Sequence, residues 1–413
     1  MNTKEEKVYH VSEVADICGV SKETVRRWDK SGKLNALRED ETGYRVYGEG
    51  QLLQFEEAKL FFATSTKKEK RVRPATDYSL IELFAGAGGL ALGLEKAGLK
   101  STMLNEIDPK ACKTLKKNRP KWNVIEGSIS EIDFKPYKDS VDVVTGGFPC
   151  QAFSYAGKKM GFEDTRGTLF FEFARCLKEV KPKVFLAENV RGLLNHEDGR
   201  TMQTIISVLK SLGYHVHEPK VLKAIHYKVP QKRERLIIVG VRKDCMNSKV
   251  DLKWPTPTGK VYTVKDALKA GDLFPTDVPK SEGQKYPDTK KQVMDLVPPG
   301  GYWRDLPIDI QKKYMMKSFY LGGGKTGMAR RMSWDEPSLT LTTSPAQKQT
   351  ERCHPDETRP FTVREYARIQ TFPDSWVFEG PQTSQYKQIG NAVPVNLAER
   401  LGWMLVDLLN QIK

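Results

Sequence analysis

A thiol placed directly after a proline is a candidate nucleophile, and Gly146-Gly147-Phe148-Pro149-Cys150-Gln151 provides one. It ends an apolar run, Val141, Val143 and Val144, that predicts a buried strand. The glycines allow a sharp turn and Pro149 fixes its own φ, so Cys150 stands on a stiff platform at a strand end. That is how a chain presents a nucleophile in a cleft. A buried structural cysteine is the competing reading of this stretch alone. Two cations, Arg233 and Arg235, alternate on a run to Val239 that reads as a strand, which predicts both on one face.

The elements that position such groups begin with Leu80–Phe84, a β-run, followed by Ala85-Gly86-Ala87-Gly88-Gly89 and a helical Leu90–Lys96. Strand, glycine turn and helix open a doubly wound α/β sheet. The next strand, Ser101–Leu104, leads into Asn105-Glu106-Ile107-Asp108. Glu106 lies about 18 residues past the glycines, where an acid can accept hydrogen bonds from ribose hydroxyls. This favours a nucleoside cofactor over a purely structural turn. S-adenosyl-L-methionine suits it better than NAD: the full G-x-G-x-x-G is absent, and a methyl donor makes chemical sense beside a cysteine nucleophile.

The chain has 413 residues, 39% of them hydrophobic, a length that favours two or three domains. A net charge of +15 points to a polyanionic partner. Six cysteines, at 18, 112, 150, 176, 245 and 353, form no C-x-x-C pair, so neither a zinc site nor a disulfide framework is expected. No stretch approaches the roughly 18 apolar residues of a membrane span. Met-Asn-Thr-Lys-Glu-Glu-Lys lacks a secretory core, so a cytoplasmic protein without a membrane partner is expected.

The first 63 residues read as a DNA-binding module. A helix from Ser12 ends at Gly19, Ser21 caps a second, and Val25 and Trp28 share its buried face. Lys22, Thr24, Arg26, Arg27 and Lys30 remain outside, as in a helix-turn-helix. Gly43-Tyr44-Arg45-Val46-Tyr47 alternates like a β-hairpin wing. Residues 8–60 resemble the MerR-type winged helix-turn-helix, which implies a second DNA contact, such as an operator. Residues 64–77, charged and poor in apolar groups, read as a solvated basic linker.

Five blocks then stand in order: Phe84-Ala85-Gly86-Ala87-Gly88-Gly89, Gly147-Phe148-Pro149-Cys150-Gln151, Glu188-Asn189-Val190, Gln231-Lys232-Arg233-Glu234-Arg235 and Gly390-Asn391-Ala392-Val393-Pro394. Together with Asp164–Leu169 and Arg364–Pro373 they make residues 79–413 resemble the DNA cytosine-5 methyltransferase family. The resemblance implies that Cys150 adds as thiolate to C6 of a flipped cytosine, making C5 nucleophilic enough to take a methyl group. It implies that Glu188 holds and helps protonate N3, that Arg235 contacts the cytosine carbonyl and that Arg233 braces the glutamate. For the cofactor it implies Phe84, Ala85, Gly86, Gly88, Gly89, Leu90, Glu106, Ile107, Ser128, Ile129, Pro149, Leu169, Asn391 and Val393. Ser128 departs from the acid that many members carry there. Residues 152–166, with Ser154, Lys158, Lys159 and Arg166, read as a glycine-hinged basic loop that closes on phosphates.

The expected organisation is a catalytic and cofactor-binding domain over 78–241, a small target-recognition domain of loops and short strands over 242–358, and a C-terminal return over 359–413. Arg330 and Arg331 fall in the recognition region, where arginines read guanine edges or hold phosphates. The implied substrate is double-stranded DNA, the implied setting a restriction–modification system with a cognate endonuclease. Two readings compete. One is a tRNA cytosine-5 methyltransferase, against which no Cys-Phe-Thr triplet occurs over 242–350. The other is a DNA-binding regulator with an inactive cofactor domain.

Overall fold

The computed structural model describes residues 7–39, 42–65, 71–149 and 169–412. The N-terminal module contains β1 (Val8–His10), α1 (Val11–Ile17), α2 (Lys22–Lys30), β2 (Leu37–Arg38), β3 (Arg45–Gly48), α3 (Glu49–Leu52) and α4 (Glu56–Ser65). Gly19, at φ 61°, turns the chain between α1 and α2, and Ser21 caps α2 by accepting the Thr24 N–H at 3.0 Å. Val25 is fully buried, and Trp28 stacks on Phe55 with centroids 4.3 Å apart. The wing is β3, paired with both β1 and β2.

The catalytic unit runs β4 (Ser79–Leu83), α5 (Gly89–Lys96), β5 (Lys100–Glu106), α6 (Pro109–Asn118), β6 (Val124–Glu126), β7 (Val143–Gly146), α7 (Leu169–Val180), β8 (Val184–Asn189), α8 (Arg200–Ser211), β9 (Tyr214–Val216), β10 (Lys220–Lys223), β11 (Gln231–Lys232) and β12 (Glu234–Arg242). Its sheet has the order β10-β12-β8-β7-β4-β5-β6, with β9 also on β12. The strands β6, β5, β4, β7 and β8 are parallel and β12 is antiparallel. Because β4 pairs with β5 on one side and β7 on the other, the winding reverses there. The crevice at the carboxyl ends of such strands is where doubly wound sheets bind ligands. It is where the glycine turn and Pro149 lie.

Apolar residues cover both sheet faces. Leu80, Val143, Leu186 and Val239 pack toward α5 and α14 (Val395–Gln411), while Ile81, Val144, Phe185 and Ile238 pack toward α7 and α8. The two helices on the first face approach closely: a Cβ on Gly93 would lie 2.3 Å from that of Ala398, and one on Gly402 2.4 Å from that of Ala97. The basic stretch read as a solvated linker is not all solvent. Asn410 of α14 accepts the Ala75 N–H at 2.9 Å and donates to the Arg73 carbonyl at 2.9 Å, so residues 73–75 run along this helix.

Between β12 and α14 lie α9 (Val264–Leu268), α10 (Asp288–Asp295), α11 (Ile308–Met315), β13 (Ser338–Leu339), α12 (Val363–Ile369) and α13 (Gln382–Asn391). Short helices rather than short strands dominate this recognition region. Among the described residues its named strand is β13, which pairs in parallel with β11. The proline-rich stretches break long periodicity, but three-turn and shorter helices fit between them.

Candidate functional site

The glycine turn and the acid after β5 form one locked unit. Gly86 donates to Glu106 Oε2 at 2.7 Å, and Ile107 and Asp108 donate to Oε1 at 2.9 and 2.8 Å. A carboxylate offers about four lone-pair sites, so acceptor capacity remains for hydroxyls. Phe84, Gly86 and Gly88 all have positive φ, at 58°, 55° and 85°. Among the described residues no atom beyond its chain neighbours lies within 4 Å of the place a Gly86 Cβ would take, so the turn faces open space. Ile107, at 67% exposure, offers an unpaired apolar surface beside the acid. An open glycine cradle, a pinned acid and an exposed aliphatic side chain fit the nucleoside end of S-adenosylmethionine.

The C-terminal block closes this cradle. Gly89 has room for no side chain, since a Cβ there would lie 2.3 Å from the Val393 carbonyl oxygen. Val393 is buried and Asn391 exposed at the end of α13. Ala85 and Leu90 are buried around the turn, and Pro149, just past β7, and Leu169, at the start of α7, are exposed. Ser128 is half-buried, with its hydroxyl 2.7 Å from Ser130 Oγ. Ile129 turns its side chain into the core beside Phe134.

A second pocket lies across the switch point, between the ends of β7 and β8. Glu188 lies there with its side chain 12% exposed, ion-paired with Arg235 Nε. A Cβ on Gly147 would sit 2.9 Å from Glu188 Oε2, so this glycine leaves room for the carboxylate. Asn189 donates to the Phe148 carbonyl at 2.8 Å and ties the two strand ends together. Burial pushes the Glu188 carboxyl above its ordinary range, with Arg235 pulling the other way. A buried carboxyl that keeps its proton can donate to a ring nitrogen. Cys150, Ser154, Lys158, Lys159 and Arg166 lie outside the described residues.

The structure changes the roles of four arginines. Arg233 does not brace the glutamate. Its guanidinium donates to the Leu341 carbonyl at 3.1 Å and the Gly390 carbonyl at 2.9 Å, holding the C-terminal return. Arg235 is the glutamate's partner. Arg331 is buried, bonded to the carbonyls of Val297 and Met294 and to Thr358 Oγ1, each at 2.7 Å. Arg330 is largely buried, near Tyr302 and Glu336. The Arg331 guanidinium is spent on these acceptors, and the Arg330 side chain is 14% exposed.

Sequence reasoning missed three supporting residues. Glu82 on β4 is buried behind the glycine turn, and burial pushes its carboxyl up to about 8. Gln231 and Gln370 meet at 2.9 Å, and Gln370 holds the Ile389 carbonyl at 2.7 Å, so both glutamines fix the return beside Arg233. Both lie in blocks quoted for the resemblance, and their amide groups were the only signal.

Of the helix-turn-helix candidates, Arg26 and Arg27 are exposed, Arg26 paired with Glu23 at 3.2 Å. Lys22 instead reaches Glu336 of the recognition region at 2.6 Å, and Thr24 is half-buried. Among the described residues no helix is long and apolar enough to cross a membrane, and no cluster of metal-binding side chains occurs.

Comparison with known proteins agrees with this geometry. A model of the MerR family of regulatory proteins matches residues 10–47. The Type II methyltransferase M.Eco47II of Escherichia coli is 67% identical over 98% of this chain and 96% of its own. M.PspPI of Psychrobacter is 61% identical over 96% and 95%, respectively. The fold is shared with a crystal structure described as a prophage-encoded DNA modification methyltransferase from E. coli, at 25% identity, a TM-score of 0.58 and coverage of 81% of this chain and all of that one. Spodoptera frugiperda DNMT2 shares the fold at 17% identity, with a TM-score of 0.56 over 80% of this chain and 99% of that one. The family model for C-5 cytosine-specific DNA methylase matches residues 78–406, and the chain belongs to that family of S-adenosylmethionine-dependent enzymes.

Proposed function

We propose that the chain is the modification methyltransferase of a Type II restriction–modification system, methylating C5 of a cytosine extruded from a specific duplex site. The observation that carries the site assignment is the Glu188–Arg235 ion pair between the end of β8 and the start of β12, with both side chains about one-tenth exposed, on the same sheet whose β4 and β5 ends carry the Glu106 glycine cradle. In this reading Cys150 adds its thiolate to C6 while Glu188 donates a hydrogen bond to N3, and the charge gathered on the ring is neutralised as the C6–S bond forms. Arg235 holds the carboxyl in place and reaches the base carbonyl. The cofactor supplies the methyl group that C5 accepts; Phe84, Gly86, Gly88, Glu106, Ile107 and the Asn391–Val393 turn hold it. A base then takes the C5 proton and Cys150 leaves by β-elimination, regenerating the thiolate. The loop bearing Ser154, Lys158, Lys159 and Arg166 closes over the duplex. A cognate endonuclease would cut the same site when it is unmethylated, and need not touch this protein to do so.

The test is transfer of radiolabel from S-adenosylmethionine to duplex DNA and to tRNA in parallel, with Cys150→Ala as control and products digested to nucleosides. Label in 5-methyldeoxycytidine, absent with the variant, supports the reading and allows the site to be mapped. Label only in tRNA, or none at all, overturns it. A regulatory role draws on the exposed Arg26 and Arg27 of α2, which leave a basic face for operator DNA. Gel shift of the protein on its own promoter, lost with Arg27→Glu, tests that role.

A further inference from the structure

The helix-turn-helix is anchored to the catalytic unit at several points. Asp16 of α1 is 5% exposed and pairs with Lys232 at 2.7 Å. His226 is buried, and burial lowers it to about 4, so it is neutral and its Nε2–H donates to the Asp16 carbonyl at 3.1 Å. Lys22 of α2 reaches Glu336 at 2.6 Å, which ties the module to the recognition region as well. The side chain of Lys223 occupies the place a Cβ on Gly19 would take. Val261 packs into the module's own core. A reader swinging on a tether has no use for such contacts. They fix the orientation of α1 and α2 against the active site.

What they fix is one wall of a cavity of about 660 Å³. Ser21 and Thr24 line it from the module; Val190, Arg191 and the Arg233–Arg235 segment line it from the catalytic unit. Val190 follows directly on Glu188-Asn189, and Arg235 is the partner of Glu188. The space under the module therefore borders the Glu188–Arg235 pair through Arg235, which belongs to both. Around it Lys232 is paired with Asp16, Arg191 with Glu234 and Arg235 with Glu188, which leaves Lys223 and Arg233 as the surplus cations, so its field favours an anion. The Arg233 Nε–H, on a residue 3% exposed, has no acceptor among the described residues.

Resting on the methyltransferase reading, we propose that the helix-turn-helix is a fixed wall of the enzyme's own DNA cleft, and that Ser21 and Thr24 lie against the sugar–phosphate backbone beside the extruded cytosine. The module then grips the duplex being methylated, whatever it also does at an operator. Its outward Arg26 and Arg27 remain available to a second duplex.

The experiment uses the full-length protein and a fluorescein-labelled duplex of about 14 base pairs, roughly 48 Å at 3.4 Å per pair. The duplex is centred on the mapped site, or is of mixed sequence if none is found. A duplex this short fills the cleft and leaves no length for a separate operator contact. Thr24→Glu sets a carboxylate against the backbone and is expected to weaken duplex binding, read by anisotropy, about tenfold. KM for the duplex rises in parallel, with kcat nearly unchanged. Thr24→Lys is expected to tighten binding, an outcome a misfolded module cannot give. Lys59→Glu, on α4 away from the cleft, changes charge more and is expected to leave binding and KM within about twofold of wild type. Equal affinities for wild type, Thr24→Glu and Thr24→Lys overturn the proposal. Because anisotropy needs no methyl transfer, it decides the proposal even where wild type transfers no label, the outcome that sinks the methyltransferase reading itself.

Discussion

Two glycines in the cofactor turn separate packing from ligand contact, and alanine at each gives a different balance of lost stability and lost affinity. At Gly89 the new Cβ would lie 2.3 Å from the Val393 carbonyl oxygen, 3.2 Å from the Ala392 Cβ and 3.3 Å from Phe372 Cζ. A carbon–oxygen contact relaxes at about 3.3 Å, so about 1 Å must be found by moving the return after α13. Alanine gains about 0.9 kcal/mol of helix propensity over glycine at the start of α5. Overpacking against backbone costs roughly 1–3 kcal/mol, and because the contact is a rigid carbonyl the upper end applies, so the net is a loss of about 2 kcal/mol. The displaced Asn391–Val393 wall also loosens the cofactor. At Gly86 the Cβ meets nothing within 4 Å, and the cost is the positive φ of 55°. That strain is about 1 kcal/mol. The methyl group, however, points into the space assigned to the cofactor. Thermal melting of the free protein and calorimetric titration with the demethylated cofactor read the two effects. Gly89→Ala should lower both the melting temperature and affinity; Gly86→Ala should lower affinity tenfold or more, with a melting shift of roughly 2 °C. Wild-type affinity in Gly86→Ala would refute the cofactor placement. Wild-type stability in Gly89→Ala would refute the contact argument.

Glu188→Gln keeps shape but cannot supply a proton, and kcat should fall about 10²–10⁴-fold with cofactor affinity intact. Burial raises the Glu188 carboxyl, and the protonated form is the working one, so wild-type activity should fall as pH climbs through that raised value; a pH–rate profile of Glu188→Gln that keeps the same alkaline limb assigns it elsewhere. Glu82 holds its proton up to about 8 in the fold, against an ordinary value of 4.5. Its stabilising contribution is therefore whole below about 4.5 and lost as pH rises through 8, so Glu82→Gln should be more stable than wild type at pH 9, by on the order of 5 kcal/mol, and not at pH 4.5; urea melts at both pH values measure this. Arg331→Met strips three 2.7 Å bonds from buried acceptors and should destabilise by about 3 kcal/mol without altering which site is methylated, checked by denaturation and site mapping.

Much of the site was legible because its chemistry is local. The turn, Glu106 and the Pro149 strand end lie within single strand–turn units, so residue type and spacing determine their geometry. The arginines were not, because their roles depend on where the period breaks. Alternation from Arg233 to Val239 placed both guanidiniums on one face only if the strand runs straight through. It does not: Arg233 falls between β11 and β12, with its N–H on the Gln231 carbonyl at 2.9 Å, and the kink sends it toward Gly390 while Arg235 stays with Glu188. Arg330 and Arg331 were misleading for another reason. A loop-rich domain with few ladders leaves many carbonyls to satisfy, and a buried guanidinium satisfies several at once.

The placement of the helix-turn-helix follows the same logic at longer range. Its internal features (the Gly19 turn, the Ser21 cap, the Val25 face) are local and readable. Its docking depends on Asp16, an acid on the buried side of α1 that has no reason to be there in an isolated module. Burying a carboxylate costs several kcal/mol unless a cation meets it, and the cation is Lys232, next to Arg233 and 216 positions away in the chain. Lys22, which reads as a DNA contact on a helix drawn alone, is occupied by Glu336. An acid buried in a module that is otherwise outwardly basic therefore marks the face turned to the rest of the enzyme. Lys232→Ala would leave Asp16 buried without its cation. If the docking argument is right, that variant should lose the module's protection from limited proteolysis while residues 78–412 stay folded, and protection equal to wild type would show that the ion pair does not hold the wall in place.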